Sequence, residues 1–249
     1  MTIRPDFVRL VETAKKIGFE TIMMATNGRM LSYFEYAKKI VDAGLNSVVF
    51  SIHGYNAKQH DFLTRSEGSF KQLMAGLKNM GKLLGMSRIG SNTTIVKQNY
   101  RDIARIGRLL YKLGIRNSEF IFVDCNEGGA CNDFDQYVPG ISQAAPYIRQ
   151  CLDIGKKNHV PHWHIRYVPL CHFPDHLDQI SELMEVAHFE TEHLAPDFVN
   201  HDVSASRRQI ARLKTEKCRG CRLFDRCEGI WRTYYEHWGD KELKPVKQI

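Results

Sequence analysis

Between residue 6 and about residue 130 the chain repeats one alternation, a helix-length amphipathic stretch followed by a short apolar run. "DFVRLVETAKKIG" leads to "FETIMMATNG", "MLSYFEYAKKIVDAG" to "LNSVVFSIHG", "SFKQLMAGLKNMGKLLG" to "SRIGSNTTIVKQN", and "YRDIARIGRLLYKLG" to "IRNSEFIFVDCNEGGA". The helical stretches end on glycines such as Gly18 and Gly44, the residue that most easily takes the left-handed turn closing a helix. The runs between them are rich in β-branched and apolar residues on both faces, as expected of strands covered on two sides. Alternating α and β units of this kind predict an α/β fold with a parallel sheet. Periodicity does not separate a barrel from an open doubly wound sheet. Both place functional groups in the loops after the strands, here "TNG", "SIHG", "VKQN" and "NEGG".

Beyond about residue 135 the alternation fades. "DFDQYVPGISQAAPYIRQCLDIGKKNHV" reads as a loop and then a helix, and "PHWHIRYVPLCHF" as a strand leading into Cys171. From about Pro174 to Asn200 the chain is acidic and His-rich without clean periodicity, and "ASRRQIARLKTE" reads as a helix before the last cysteines. Two regions are expected, 1–135 and 136–249.

No apolar run approaches the roughly 18–20 residues that span a bilayer, and the first residues lack a secretory pattern, so a cytoplasmic protein is expected. The formal charge is +7, but Lys and Arg are spread among acidic residues with no nucleic-acid-binding signature. That charge reads as solvated surface, with neither nucleic acid nor membrane as a partner.

Seven cysteines, an odd number, argue against a disulfide framework and for a metal or redox site. Three of them form C-x2-C-x5-C in "CRGCRLFDRCEGIW", Cys218, Cys221 and Cys227, and a site made only of thiolates needs a fourth. Cys171, on a short apolar strand entering the same region, is the best candidate. Spacing alone leaves zinc and an iron–sulfur cluster equally open. The nearby His159, His162, His164 and His172 read as hydrogen-bonded or surface residues, and Cys151 as a core residue. Trp231, Tyr234, Tyr235 and Trp238 share a helix face that would dock the tail or shield the site.

The ordered strand-end motifs across residues 2–130 resemble the core of radical S-adenosylmethionine (radical SAM) enzymes. The resemblance implies a partial (β/α)6 TIM-like barrel and the use of SAM with a [4Fe–4S] cluster to abstract a hydrogen atom from substrate. It implies that Ser51 of "SIHG" contacts the SAM carboxylate and that Asn92 contacts the ribose. Thr26 and Asn27 of "TNG" would face SAM or substrate, Lys97 an anionic group, and Val123 to Asn126 the adenine. Each has a plainer reading: Asn27-Gly28 as a tight turn, Ser51 as a cap, Lys97 as a solvated lysine, and His53 as a polar loop residue.

The tail is similar to that of family members carrying an auxiliary (SPASM or twitch-like) cluster, an upstream Pro-x-Cys followed by C-x2-C-x5-C. This implies a second [4Fe–4S] cluster held by Cys171, Cys218, Cys221 and Cys227. The family's C-x3-C-x2-C occurs nowhere among the seven cysteines. The expectation is a truncated barrel, lacking two strands and the SAM-cluster ligands ahead of Met1. The implied partners are SAM, an unknown small-molecule or peptide substrate, and an electron donor such as ferredoxin or flavodoxin. The alternative is a non-catalytic iron–sulfur or zinc protein on a barrel remnant.

Overall fold

The computed structural model describes residues 2–188, 191–194 and 198–247. In chain order it contains α1 (Phe7–Ile17), β1 (Met23–Thr26), α2 (Phe34–Ala43), β2 (Ser47–Ser51), α3 (Ala57–Thr64), α4 (Ser69–Leu84), β3 (Ile89–Ile95), α5 (Ile103–Lys112) and β4 (Asn117–Phe122). There follow α6 (Gly128–Asn132), α7 (Phe134–Tyr137), α8 (Ile141–Lys157), β5 (His162–Arg166), α9 (Ser181–His188) and the ribbon β6–β7 (His193–Leu194, Val199–Asn200). The last elements are α10 (Val203–Ser206), the ribbon β8–β9 (Arg212–Leu213, Ile230–Trp231) and α11 (Arg232–Trp238).

The first five strands form one parallel sheet in the order β1-β2-β3-β4-β5. Every strand lies beside its neighbour in sequence. That is the winding of a TIM-like barrel and has no reversal point of the doubly wound kind, so the structure decides what periodicity left open. In register, Thr26 stands opposite Phe50, Phe50 opposite Ser91, and Ser51 opposite Asn92.

Side chains alternate across a strand, so this register sorts the sheet into two faces. Met24, Thr26, Val48, Phe50, Ile89, Ser91 and Thr93 are buried on one face, while Ser51, Asn92 and Thr94 are half-buried on the other. On the buried face the Ser91 and Ser118 hydroxyls bond at 2.9 Å, which places Glu119 on the half-exposed face. Two glycines let α4 close on the "TNG" turn: a Cβ on Gly76 would meet the Gly28 carbonyl oxygen at 2.4 Å, and one on Gly28 the Phe50 ring at 2.7 Å.

The chain divides into two compact units. One comprises Met1–Thr94, Asp102–Phe120 and Asp153–Trp163; the other comprises Ile95–Arg101, Ile121–Leu152 and His164–Ile249. The fading of the pattern after residue 135 does not end the α/β alternation, because α8 and β5 supply one further unit. Within the segment read as unpatterned, α9 and the β6–β7 ribbon are described, and 189–190 and 195–197 lie outside the described residues.

"ASRRQIARLKTE" does not form one helix. After α10 the chain widens into a single π-turn, Arg207–Ala211, and then enters β8. The reason is buried Glu228, which receives Arg207 Nε at 2.7 Å and Arg212 Nη1 at 3.2 Å. An α-helix at 100° per residue would turn side chains five apart roughly 140° away from each other. The wider turn brings both onto one carboxylate. No helix among the described residues is long and apolar enough to cross a membrane.

Candidate cofactor-binding strand ends and cysteine cavity

At the strand ends of the first unit, Ser51 and Asn92 are register partners on the half-exposed face. Thr26 is buried on the opposite face, and its hydroxyl accepts the Gly28 N–H at 3.1 Å. Asn27 is exposed, with its side-chain oxygen accepting the Arg29 N–H at 3.2 Å. Of the four residues singled out at the strand ends, the structure therefore brings Ser51 and Asn92 together and folds Thr26 and Asn27 into the local turn.

His53 follows Ser51 in the same loop. Its Nδ1 accepts the Thr94 N–H at 3.2 Å, and its own N–H donates to His60 Nδ1 at 3.2 Å. The two rings stack at 6.1 Å. Burial, and then the neighbouring His60, pull the His53 pKa down to about 4, so the ring is neutral near neutral pH and clips the end of β2 to β3. Gly54 is fixed by packing, since a Cβ there would meet the His60 backbone nitrogen at 2.5 Å.

In the second unit, Cys171, Cys218, Cys221 and Cys227 line one cavity, walled by Pro169, Leu223, Phe224, Leu243 and Pro245. Cys171 sits in a single 3₁₀ turn, Leu170–His172, and Cys218 ends another, Glu216–Cys218. Backbone donors point at the sulfurs. Leu170 and Gly229 N–H groups donate to Cys227 Sγ at 3.4 and 3.3 Å, and Val246 N–H to Cys221 Sγ at 3.3 Å. The backbone at Lys244 bonds the Cys171 thiol. Burial pushes that thiol's pKa up to about 11; the Lys244 bond opposes this, and the charges of the other three cysteines add to it. Burial also raises Cys227. Among the described residues no three Cys, His, Asp or Glu side chains are arranged to hold a single metal ion.

Such a set suits a thiolate-held group. Four soft sulfur ligands line one space, and backbone N–H groups stabilise their anionic form, the arrangement that fixes ligand orientation and tunes a metal–sulfur centre. The Pro-x-Cys and C-x2-C-x5-C segments were legible as motifs. The N–H donors were not, and for Val246 in "KPVK" no sequence signal exists. Gly229, directly after "CE", was the one visible hint.

A buried ionic lattice braces the same region. Glu228 is held by Arg207, Arg208 and Arg212, Glu182 by Arg212, and Glu185 by Arg166 and Arg207. Burial alone would raise the Glu228 pKa, but bonds from Arg207 and the charges of Arg212 and Arg207 outweigh it and hold the carboxyl below its usual range. The Arg212 guanidinium lies 4.3 Å from the Trp231 ring centroid.

The remaining candidates have other duties. Lys97 donates to the Asp135 carbonyl and lies 5.8 Å from the Trp238 ring centroid. Asn126 ties the "NEGG" turn to the Ala211 carbonyl at 3.0 Å and accepts the Thr233 N–H at 3.2 Å. Buried His172 faces the Glu242 carbonyl at 2.8 Å and is not among the residues lining the cysteine cavity. Cys125 is buried, with its pKa pushed up to about 12 by burial and then by Asp124, and Cys151 is buried on α8.

Residues 1–110 match the model of the radical SAM superfamily. An AdoMet-dependent heme synthase of Methanosarcina barkeri is 32% identical over 111 residues, covering 45% of this chain and 31% of that protein. A probable GTP 3',8-cyclase of Saccharolobus islandicus is 23% identical over 167 residues, 67% of this chain and 52% of that protein. A solved structure, "Structure of TYW1 with a lysine-pyruvate adduct bound", aligns with a TM-score of 0.43 and 14% identity over 63% of this chain and 47% of that one. The aligned stretch thus spans 31% and 52% of these two curated relatives' own length.

Proposed function

We propose that the chain, whose residues 1–110 match the radical SAM superfamily model, carries the substrate-side barrel strands and the auxiliary cluster site of a cytoplasmic radical SAM oxidoreductase or maturase. Members of the superfamily use SAM and [4Fe–4S] clusters, which together supply hydrogen-atom abstraction. The observation that carries the proposal is the convergence of Cys171, Cys218, Cys221 and Cys227 on one cavity, with backbone N–H groups directed at their sulfurs.

Each residue then has a definite task. Cys171, Cys218, Cys221 and Cys227 hold the auxiliary cluster as thiolates. Leu170, Gly229 and Val246 N–H groups stabilise that charge, and Leu223, Leu243 and the prolines keep water from it. Ser51 and Asn92, side by side on the half-exposed face, offer a hydroxyl and an amide to the carboxylate and ribose of SAM. Thr26 and Asn27 shape the adjoining turn, with the exposed Asn27 amide available to SAM or substrate. The substrate is a small molecule or peptide, and a ferredoxin or flavodoxin supplies electrons.

The test is anaerobic reconstitution followed by iron, sulfide and zinc analysis. Iron and sulfide in equal amounts, lost in Cys171→Ala and Cys218→Ala, support the cluster. Stoichiometric zinc without iron would replace it with a zinc site. Because C-x3-C-x2-C is absent from the sequence, the chain by itself is expected not to cleave SAM. SAM turnover proportional to its iron would contradict that assignment.

A further inference from the structure

The loop that carries three of the cysteines is unusually cationic on its outer side. Lys214, Lys217, Arg219, Arg222 and Arg226 are exposed between and around Cys218, Cys221 and Cys227. The tail joins them: Arg222 N–H donates to the Val246 carbonyl at 2.9 Å, which brings exposed Lys244 and Lys247 beside the same loop. Lys217 Nζ reaches back to the Asp240 carbonyl at 3.1 Å, closing the rim on its other side. Within 214–227 and 241–247 the exposed acids are only Glu216 and Asp225. Among the described residues, Arg219 alone of the named cations is ion-paired, with Glu216 at 2.8 Å on the surface, where such a pair neutralises little.

Buried or shielded acids do not offset this rim. Glu228 is already compensated by three arginines, and Glu242 turns inward to Tyr234 and the start of α8. Half-buried Phe224, with Lys214 Nζ 4.3 Å from its ring centroid, supplies an apolar spot beside the charges. Lys214 lines the cysteine cavity, the other loop cations lie between or beside its ligands in sequence, and Cys218 and Cys221 are themselves only half-buried.

We propose that this rim is the docking surface for an acidic one-electron carrier protein that exchanges electrons at the cysteine cavity, an inference resting on the cavity's reading as a cluster site. The reduced carrier gives up one electron to the cysteine-held cluster and leaves oxidised by one; no bond is made or broken. A patch of one sign steers an oppositely charged partner and sets its approach, and a cationic loop that itself carries three of the cavity's four cysteines favours a redox protein over nucleic acid, which has no use for a metal–sulfur site in the surface it covers.

The probe is an acidic flavodoxin, titrated against the iron-loaded and the iron-free chain by calorimetry. Binding is expected to weaken at least about tenfold between about 20 mM and about 300 mM salt, as screening shortens the reach of the charges. The triple variant Arg219→Glu, Arg222→Glu, Arg226→Glu is expected to lose binding by at least about tenfold at low salt. A control with the same change in net charge, Lys16→Glu, Lys39→Glu, Lys71→Glu on exposed helix positions, is expected to bind as the parent does. Iron content and thermal melts of both variants keep fold and cluster uptake separate from docking. Equal loss in both variants, or no binding to the iron-loaded chain, overturns the proposal. So does a short single-stranded RNA that binds at the rim when flavodoxin does not. A chain that takes up no iron yet binds flavodoxin through the rim retracts the cluster and leaves the surface standing.

Discussion

Gly229 does two jobs that no other residue can combine. Its φ is +89°, and a Cβ would land 2.0 Å from the Leu213 carbonyl oxygen, while its N–H donates to Cys227 Sγ. Gly229→Ala is expected to cost more than about 2 kcal/mol, adding a steric clash to left-handed strain. Gly220→Ala is the comparison, with φ +77° but nothing within 4 Å of the added Cβ. It should cost about 1 kcal/mol, through strain alone. Urea unfolding of both variants checks the ranking, and equal losses would refute the clash. His53 gives a pH signature. Its pKa falls from 6.5 unfolded to about 4 folded. As pH drops through that window the unfolded chain takes up the proton first, so stability declines by roughly 3 kcal/mol from the ordinary value to the depressed one. His60, lowered by burial in the same way, steepens the fall. Unfolding free energies across the window should be flatter for His53→Asn, and an unchanged slope would remove His53 as the source. That Ser51, Asn92 and Thr26 lie near strand ends was legible, because polar residues stand out in apolar runs; that Thr26 lies on the other face from Ser51 and Asn92 was not, because which face a residue takes depends on register, and a one-residue shift reverses it.

At the scale of elements, the strands and their helices were readable because both periods are strong there: β2 alternates Val48 and Phe50 inward, and α5 buries Ile103, Ile106 and Leu110 at helical spacing. The π-turn at Arg207–Ala211 was unreadable because its cause, Glu228, lies 21 residues away from Arg207. The start of α8 is held in a similarly non-local way. Glu242 accepts the Ile141 N–H at 3.0 Å and the Ser142 and Tyr234 hydroxyls, placing a carboxylate at a helix N-terminus from a hundred residues downstream. Glu242→Ala is expected to cost about 1–3 kcal/mol, from the lost cap and the stranded donors. The start of α8 and residues 240–247 should lose hydrogen-exchange protection together, whereas protection lost in α8 alone would contradict the link. Glu228→Gln tests the ionic lattice. Removing one charge among three arginines is expected to cost about 3–5 kcal/mol, read by thermal unfolding.

For the molecule as a whole, a segment matching the radical SAM superfamily model over residues 1–110 and a four-cysteine cavity occur in one chain. The resemblance of the tail to auxiliary-cluster proteins already implied that Cys171 joins the C-terminal triplet. What spacing left open, zinc or iron, depends on which metal the thiolates accept, a matter of chemistry that sequence does not encode. The most direct measurement is therefore the metal content of the anaerobically reconstituted chain, with and without Cys171. About four irons and four sulfides per chain, lost in Cys171→Ala while the fold is retained, are expected. One zinc and no iron, or iron that survives the loss of Cys171, would contradict the auxiliary cluster.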